Sequence, residues 1–326
     1  MRSLKVERVS WPLRGVFAIS RGARTEANVV VAHVRDGDLV GRGECVPYPR
    51  YGESVDGVVS TLEGLADAVA EGLDRELLQE RLPAGAARNA LDCALWDLAA
   101  KRARQRVWEL VGLPAPEPVV TAFTISLDVP ETMAAKAVEA RDYPLLKLKL
   151  GGAGDLERVQ AVRRVLPDAR LIVDANEAWP VAELTTLLQA MADLGVELVE
   201  QPLHARQDAP LADVPHPVPV CADESCHTSD DIPGLVGRYD VVNMKLDKAG
   251  GLTEGMRVVD AARAHGLGLM VGTMVGSSLL MAPAMLLAGQ AEWVDLDGPL
   301  WLARDQPDAL HWDGTYLHPP VPGLWG

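Results

Sequence analysis

The sequence predicts an α/β protein in which a closed barrel of parallel strands carries an N-terminal α+β cap. Three observations lead there: a change of pattern near residue 115, a βα unit repeated through residues 119–297, and charged residues ending most of its strands. A chain of 326 residues is also long enough for one large barrel or two domains.

The first 115 residues behave as one unit. "NVVVAHVRDGDLVGRGECVP" reads as a hairpin, with apolar alternation on either side of the turn signal Asp36-Gly37. Helical patterns follow in "VDGVVSTLEGLADAVAEG" and "AGAARNALDCALWDLAAKRARQRVWELVG". Strands followed by helices indicate an α+β domain over 1–115. "LPAPEPVV", with three prolines, marks the junction at 113–120.

Beyond it, apolar strands alternate with helices. The strand candidates are "VVTAFTI", "LLKLKL", "RLIVDA", "VELVEQP", "PVCADE", "DVVNMKL", "LGLMVG" and "EWVDLD". Lys149, Asp174, Glu200, Asp223 and Lys245 end five of them, at spacings of 25, 26, 23 and 22 residues, the period of one βα unit. Eight such units close most economically into a barrel over 116–300. A doubly wound open sheet is the alternative, but no strand–GxGxxG–helix unit supports it. Residues 266–289 carry no charge and are long enough for a membrane span; their glycines, serines and Pro283 divide them into a buried strand and helix instead.

The barrel gives "LLKLKL" its meaning. Alternation puts Lys147 and Lys149 on one face. Taken alone this reads as an exposed edge strand; the four further charged strand ends at the same period turn the reading inward. Leu146, Leu148 and Leu150 then face the helices. Asp174, Glu200 and Asp223 meet at one mouth of the barrel, where three like charges repel unless a cation sits between them. Hard oxygen donors without matched His or Cys favour Mg²⁺, with Mn²⁺ as the alternative. Lys149 and Lys245, on the second and sixth strands, lie across the barrel from one another. A pair of amines flanking one metal suits a carbon acid that loses a proton on one face and regains it on the other. Lys147, one pleat deeper, adds positive charge to the same oxygens. Asp295 and Asp297, two apart on the eighth strand, also point inward and call for another cation, for which a substrate ammonium is the natural partner.

The motifs "KLK", "VDAN", "VEQP", "ADES" and "NMKLDKAGG" together resemble the enolase superfamily, in its muconate-lactonizing-enzyme-like branch with a lysine on each side of the site. The resemblance runs the whole chain and implies a modified TIM barrel, (β/α)7β, an N-terminal capping domain, and residues 301–326 returning to the cap. It implies Lys149 and Lys245 as the acid/base pair and Asp174, Glu200 and Asp223 as the Mg²⁺ ligands. The DxD of Asp295 and Asp297 is similar to that of the superfamily's dipeptide epimerases, where it binds the free amino terminus. This extends to "WPLRGVFAISRG", "GECVPYPRYGES" and "AARNALDCALWDLAAKR". The implied reaction interconverts L-Ala-D-Glu and L-Ala-L-Glu through a metal-stabilised enediolate, in recovery of cell-wall peptides. Thr124 has a place in the family's substrate pocket. The glutamate side chain calls for a cap cation, Arg24, with Arg21 and Arg50 as alternatives, and selectivity rests on cap loops around 18–26 and 47–54.

Other classes fit less well. N-acylamino-acid racemases, o-succinylbenzoate synthases and cycloisomerases would keep the lysines and the metal without needing Asp295 and Asp297. A non-catalytic barrel binding metal or peptide would leave opposed buried lysines without purpose. A formal charge of -15 argues against nucleic acid or anionic membrane as partner. Four scattered cysteines do not suggest a disulfide framework and no leader pattern opens the chain, so the expected compartment is the cytoplasm. A homo-oligomer is compatible with the sequence, which does not set its state.

Overall fold

The computed structural model describes residues 2–326. The cap opens with an antiparallel sheet of β1 (Arg2–Ile19), β2 (Gly22–Asp36) and β3 (Leu39–Cys45), in that order. The β2–β3 turn falls at the expected place, with Gly37 at φ 60. β1 was not among the strands read from the sequence, although Leu4, Val6, Val9, Trp11 and Leu13 are half-buried along it and mostly polar residues stand between them. Its alternation slips by one residue at Glu7-Arg8, and its pairing shifts register between Pro12 and Phe17, where proline has no N–H to give a ladder.

Helices α1 (Val55–Glu63), α2 (Ala66–Ala70) and α3 (Arg75–Arg81) lead to α4 (Ala86–Ala103), buried on most of its circumference. The helical pattern running to residue 112 is broken after α4, because Arg104 turns left-handed (φ 55); a single turn, α5 (Val107–Leu110), follows. Sheet and α4 meet backbone to backbone. A Cβ on Gly41 would overlap the Ala94 carbonyl and lie 2.6 Å from Leu98 N. The expected first barrel strand, "VVTAFTI", is two elements. β4 (Val119–Val120) joins a small sheet with the C-terminal hairpin β13 (Trp312–Asp313) and β14 (Tyr316–Leu317), and only β5 (Phe123–Ile125) enters the barrel. Residues 323–326 lie on the cap: Arg42 Nη2 donates to the Gly323 and Leu324 carbonyls, and the fully buried Trp325 donates to Cys93 O.

Eight parallel strands follow in chain order around the barrel: β5, β6 (Leu145–Lys149), β7 (Arg170–Asp174), β8 (Val196–Glu200), β9 (Val220–Ala222), β10 (Val241–Lys245), β11 (Gly268–Gly272) and β12 (Trp293–Asp295). Between β5 and β12 the ring closes by few bonds: Ala122 N to Val294 O (2.7 Å), Leu296 N to Thr121 Oγ1 (2.7 Å) and Thr124 N to Asp297 Oδ2 (2.6 Å). Outer helices are α6 (Pro130–Glu139), α7 (Asp155–Val165), α8 (Leu184–Asp193), the short α9 (Ile232–Leu235) and α10 (Leu246–Ala249), α11 (Leu252–Ala264) and α12 (Ser278–Ala288). The βα repeat has one exception: β8 reaches β9 through a 3₁₀ turn at Ala209–Asp213. The segment "APLADVPHPVP" explains it, since interior prolines forbid a full helix. Residues 266–289 are β11 and the wholly buried α12, and among the described residues no helix is long and apolar enough to cross a membrane.

The inner face of the barrel is apolar at one end. Ala122, Leu145, Ile172, Leu198, Cys221, Val241 and Met270 form one buried cluster, while Leu146, Leu148 and Leu150 pack outward with the helices. The period of two then places Lys147 and Lys149, and the charged ends of the neighbouring strands, above that apolar floor.

Gly41→Ala should lower stability by about 1–3 kcal/mol, measured by urea unfolding, because α4 must shift away from the sheet. An unchanged midpoint would mean that this contact is not tight.

Candidate active site

Strand alternation and parallel register bring the charges together. Lys149 on β6 is in register with Asp174 on β7, and Asp174 with Glu200 on β8. Lys149 Nζ lies 2.6 Å from Asp174 Oδ2, and Lys245 Nζ, on β10, lies 2.6 Å from Asp223 Oδ2. Both amines therefore face inward, one at each end of the row Asp174, Glu200, Asp223. They line one cavity of about 50 Å³, with Asn176, Glu224 and Tyr48 also on its wall. A larger cleft of about 710 Å³ lies outside it and shares Ile19, Arg21, Arg24 and Tyr48. Both lysines line the smaller space and neither lines the larger.

Lys147 is fully buried and touches three acids: Glu200 Oε2 at 2.5 Å, Asp295 Oδ2 at 2.7 Å and Asp174 Oδ2 at 3.5 Å. The Glu200 contact is close in distance but lacks hydrogen-bond geometry, so charge alone holds that oxygen. Burial would lower the Lys147 pKa; Asp295, Glu200 and Asp174 outweigh it and raise it well above the usual lysine value. The same contest raises Lys245, where Asp223 and Glu200 prevail over burial.

The acids split. Burial pushes Asp174 up, but Lys149 and Lys147 hold it at about 2. Asp223 also falls well below the carboxylate range, its burial outweighed by Lys245 and Lys248. Glu200, between them, is raised by burial and by the charge of Asp174. Among the described residues no three or more His, Cys, Asp or Glu side chains stand as a closed metal-ligand set, and each acid of this row rests on an ammonium instead. The donor chemistry nevertheless fits a hard divalent ion: carboxylate oxygens alone, on three neighbouring strand ends, with the middle one resisting ionisation.

Three residues that sequence reading did not single out fix this row. Lys248 Nζ, almost fully buried, donates to Asp223 Oδ1 (2.6 Å) and to the Asn243 carbonyl (2.9 Å). Asn243 Nδ2 donates to Glu200 Oε1 (2.8 Å), and Gln201 Oε1 accepts from Asp223 N (2.8 Å). The signals were present, because Asn243 shares the inward face of Lys245 and Gln201 stands in "VEQP". Gly272 is small for the same reason: a Cβ there would lie 2.7 Å from Asn243 Oδ1.

Asp295 and Asp297 are both inward and buried, but neither is wholly free for a ligand. Lys147 supplies a cation to Asp295 Oδ2, leaving Oδ1 buried without a hydrogen-bond partner. Asp297 Oδ2 accepts from the backbone N–H of Thr124, and burial followed by the charge of Asp295 moves its carboxyl up to about 7. Of the cap arginines, Arg50 is bidentate on Glu177 (2.7 and 2.8 Å) and Arg21 is paired with Glu224 (2.6 Å). Arg24 has no ion-pair partner among the described residues. Its guanidinium lies 5.9 Å from the Tyr48 ring and lines both cavities.

The chain is similar to known proteins along its whole length. Residues 1–112 match the mandelate racemase / muconate lactonizing enzyme N-terminal domain, and residues 131–324 match the enolase C-terminal domain-like model. The chain is 48% identical over 320 residues to the L-Ala-D/L-Glu epimerase of Escherichia coli K12, covering 98% of this chain and 100% of that one. It is 41% identical to an N-acetyl-D-glutamate racemase of a Pseudoalteromonas species, covering 91% and 95%. A crystal structure of an enolase family member from Agrobacterium tumefaciens with homology to dipeptide epimerases, with bound sodium and L-Ala-L-Glu, superposes with a TM-score of 0.98 at 50% identity over 100% of both chains. The dipeptide epimerase of Enterococcus faecalis V583, complexed with Mg and L-Leu-L-Tyr, superposes at 0.91 with 29% identity over 99% and 98%. The barrel, the cap and these matches place the chain in the mandelate racemase / muconate lactonizing enzyme family of enolase-like proteins.

Proposed function

We propose that the protein is a Mg²⁺-dependent dipeptide epimerase that interconverts L-Ala-D-Glu and L-Ala-L-Glu. The observation that carries this reading is the pair Lys149 and Lys245, buried on opposite strands of one barrel with three carboxylates between them. Relatives named for that reaction, and solved relatives holding dipeptides, support the substrate class.

Asp174, Glu200 and Asp223 would hold the metal. Mg²⁺, when bound, supplies Lewis acidity to the substrate carboxylate, where charge gathers as the neighbouring carbon loses its proton. Lys149 and Lys245 work from the two faces of that carbon. One accepts the α-proton and the other delivers a proton to the opposite face, which inverts the centre. Lys147, held between Glu200 and Asp295, keeps positive charge beneath the reacting carboxylate. Asp295 Oδ1 and the Asp297 carboxylate face the amino end of the dipeptide, Thr124 lines the pocket wall, and Arg24 meets the glutamate side chain. We place the activity in recovery of cell-wall peptides in the cytoplasm. The dipeptide substrate supports that reading.

A second reading is favoured by two observations. Lys147 and Thr124 already engage Asp295 and Asp297, and one relative is a racemase of N-acetyl-D-glutamate. In that case the substrate is an N-acylated glutamate without an ammonium group.

With Mg²⁺ in D₂O, L-Ala-L-Glu should lose its glutamate α-proton signal and gain the D-epimer by NMR. Turnover of N-acetylglutamate with none of the free dipeptide would overturn the first reading in favour of the second. Lys245→Ala should abolish epimerisation, a loss of at least about 10²–10⁴-fold, yet retain deuterium exchange from one epimer; unchanged epimerisation would remove Lys245 from the mechanism. Acetylating the amino terminus of L-Ala-L-Glu should lower kcat/KM by at least about 30-fold, since Asp295 Oδ1 and Asp297 then have no substrate ammonium to meet. Equal rates would mean that the two aspartates do not read an ammonium.

A further inference from the structure

Two arginines stand near the tip of the β1–β2 hairpin, Arg21 in the turn and Arg24 in β2 opposite Phe17, and they are in different situations. Arg21 reaches across to the barrel. Its Nη2 lies 2.6 Å from Glu224 Oε1, in the loop after β9, and donates to Tyr48 OH (3.1 Å) on the second cap loop. Its Nη1 donates to the Asn176 carbonyl (3.1 Å), in the loop after β7, which also accepts from Ser20 Oγ (3.1 Å). Arg24, one turn of chain away, makes none of these contacts.

Glu224 is the member without an alternative. Its side chain is 1% exposed, Oε1 rests on Arg21, and Oε2 is buried with no hydrogen-bond partner. Lifting the turn would leave a buried carboxylate without its counterion, and uncompensated buried charge is strongly disfavoured. The other end of the contact is held as firmly. Asn176 and Glu177 both sit at positive φ (45 and 68), a strained conformation that persists only where its surroundings impose it. Arg50 clamps Glu177 from the second cap loop, and Asn176 N donates to Asp174 Oδ1 (2.9 Å). The contacts of Arg21 thus run from the cap turn to the loops that follow two of the three acids in the row.

We propose that Arg21 and Glu224 form a latch that holds the β1–β2 turn over the cavity, with Glu224 as a positioning residue and Arg24 alone left to read the substrate side chain. This rests on the dipeptide reading given above. It assigns the two arginines different work: Arg21 serves every substrate equally, through closure, and Arg24 serves acidic side chains only.

The test compares Arg21→Gln, Glu224→Gln, their double variant and Arg24→Gln in the Mg²⁺-loaded protein, with L-Ala-L-Glu and L-Ala-L-Leu as substrates. Hydrogen–deuterium exchange is followed over residues 17–26. Each latch variant should raise KM about 10-fold for both dipeptides, with kcat changed less than about 3-fold, and the double variant should be no worse than either single. Exchange over 17–26 should quicken equally in all three latch variants. Arg24→Gln should raise KM for L-Ala-L-Glu alone and leave exchange as it was. Multiplying effects in the double variant, or unchanged exchange in Glu224→Gln, would overturn the latch. A Mg²⁺ titration that matches the unsubstituted protein shows that Glu224→Gln has not disturbed Asp223; a weakened one would assign Glu224 to the metal site and also count against the latch. Should Glu224→Gln fail to fold, Arg21→Gln in the partly exposed turn gives the same readouts. If the unsubstituted protein turns over neither dipeptide, the functional reading fails, while exchange still decides the latch.

Discussion

Four ammonium groups and six carboxylates are buried at one mouth of the barrel, and the rest of the structure is arranged around holding them there. Lys147, Lys149, Lys245 and Lys248 are each at most 7% exposed, as are Asp174, Glu200, Asp223, Glu224, Asp295 and Asp297. Removing such charges from water is expensive, and their mutual attraction offsets that only when every one has a partner in good geometry. Here the partners are set by strand register. Lys149 meets Asp174 because β6 and β7 are in register at their ends, and Lys147 reaches Asp295 because the barrel closes across β5. Such a cluster is weak support for stability and strong support for function, since an apolar filling would serve a purely structural barrel as well.

The cap is tied to that barrel by a second set of buried acids. Glu44 on β3 accepts from Ser277 N and Oγ at the start of α12. Asp92 on α4 accepts from Thr253 N and Oγ1 on α11, and Asp247 on α10 accepts from Asn89 Nδ2 and Val46 N of the cap. Burial pushes these carboxyls up, to about 7 for Glu44, about 6 for Asp92 and about 8 for Asp247. Arg88 adds two bonds to the Ala249 and Gly250 carbonyls just past the lysine strand. α4 is thereby locked to the segment that carries Lys245.

Much of this was legible in the chain. The five charged strand ends at one βα period predicted both the barrel and the inward lysines, because a closed parallel sheet has no wet face on which to leave them. The failures have local causes. The alternation of β1 is interrupted at Glu7-Arg8 and by Pro12, and the fourth connection loses its helix to prolines that a spacing argument does not weigh. Lys248 and Asn243 were passed over although they stand in the quoted "NMKLDKAGG", since a motif names residue types without saying which carboxylate each will hold.

Residue type and alternation therefore settled, from sequence alone, which charges the protein buries and on which face of each strand. A period of two leaves no other place for Lys147, Lys149, Asp174 or Glu200 once the strands close. Which charge meets which was decided only in the tertiary structure. Asp295 is engaged by Lys147, Asp297 by the backbone of Thr124 and Arg21 by Glu224, through contacts between residues more than a hundred positions apart. Those pairings depend on how the last strand closes against the first and how the cap settles on the barrel, and no local pattern carries that information.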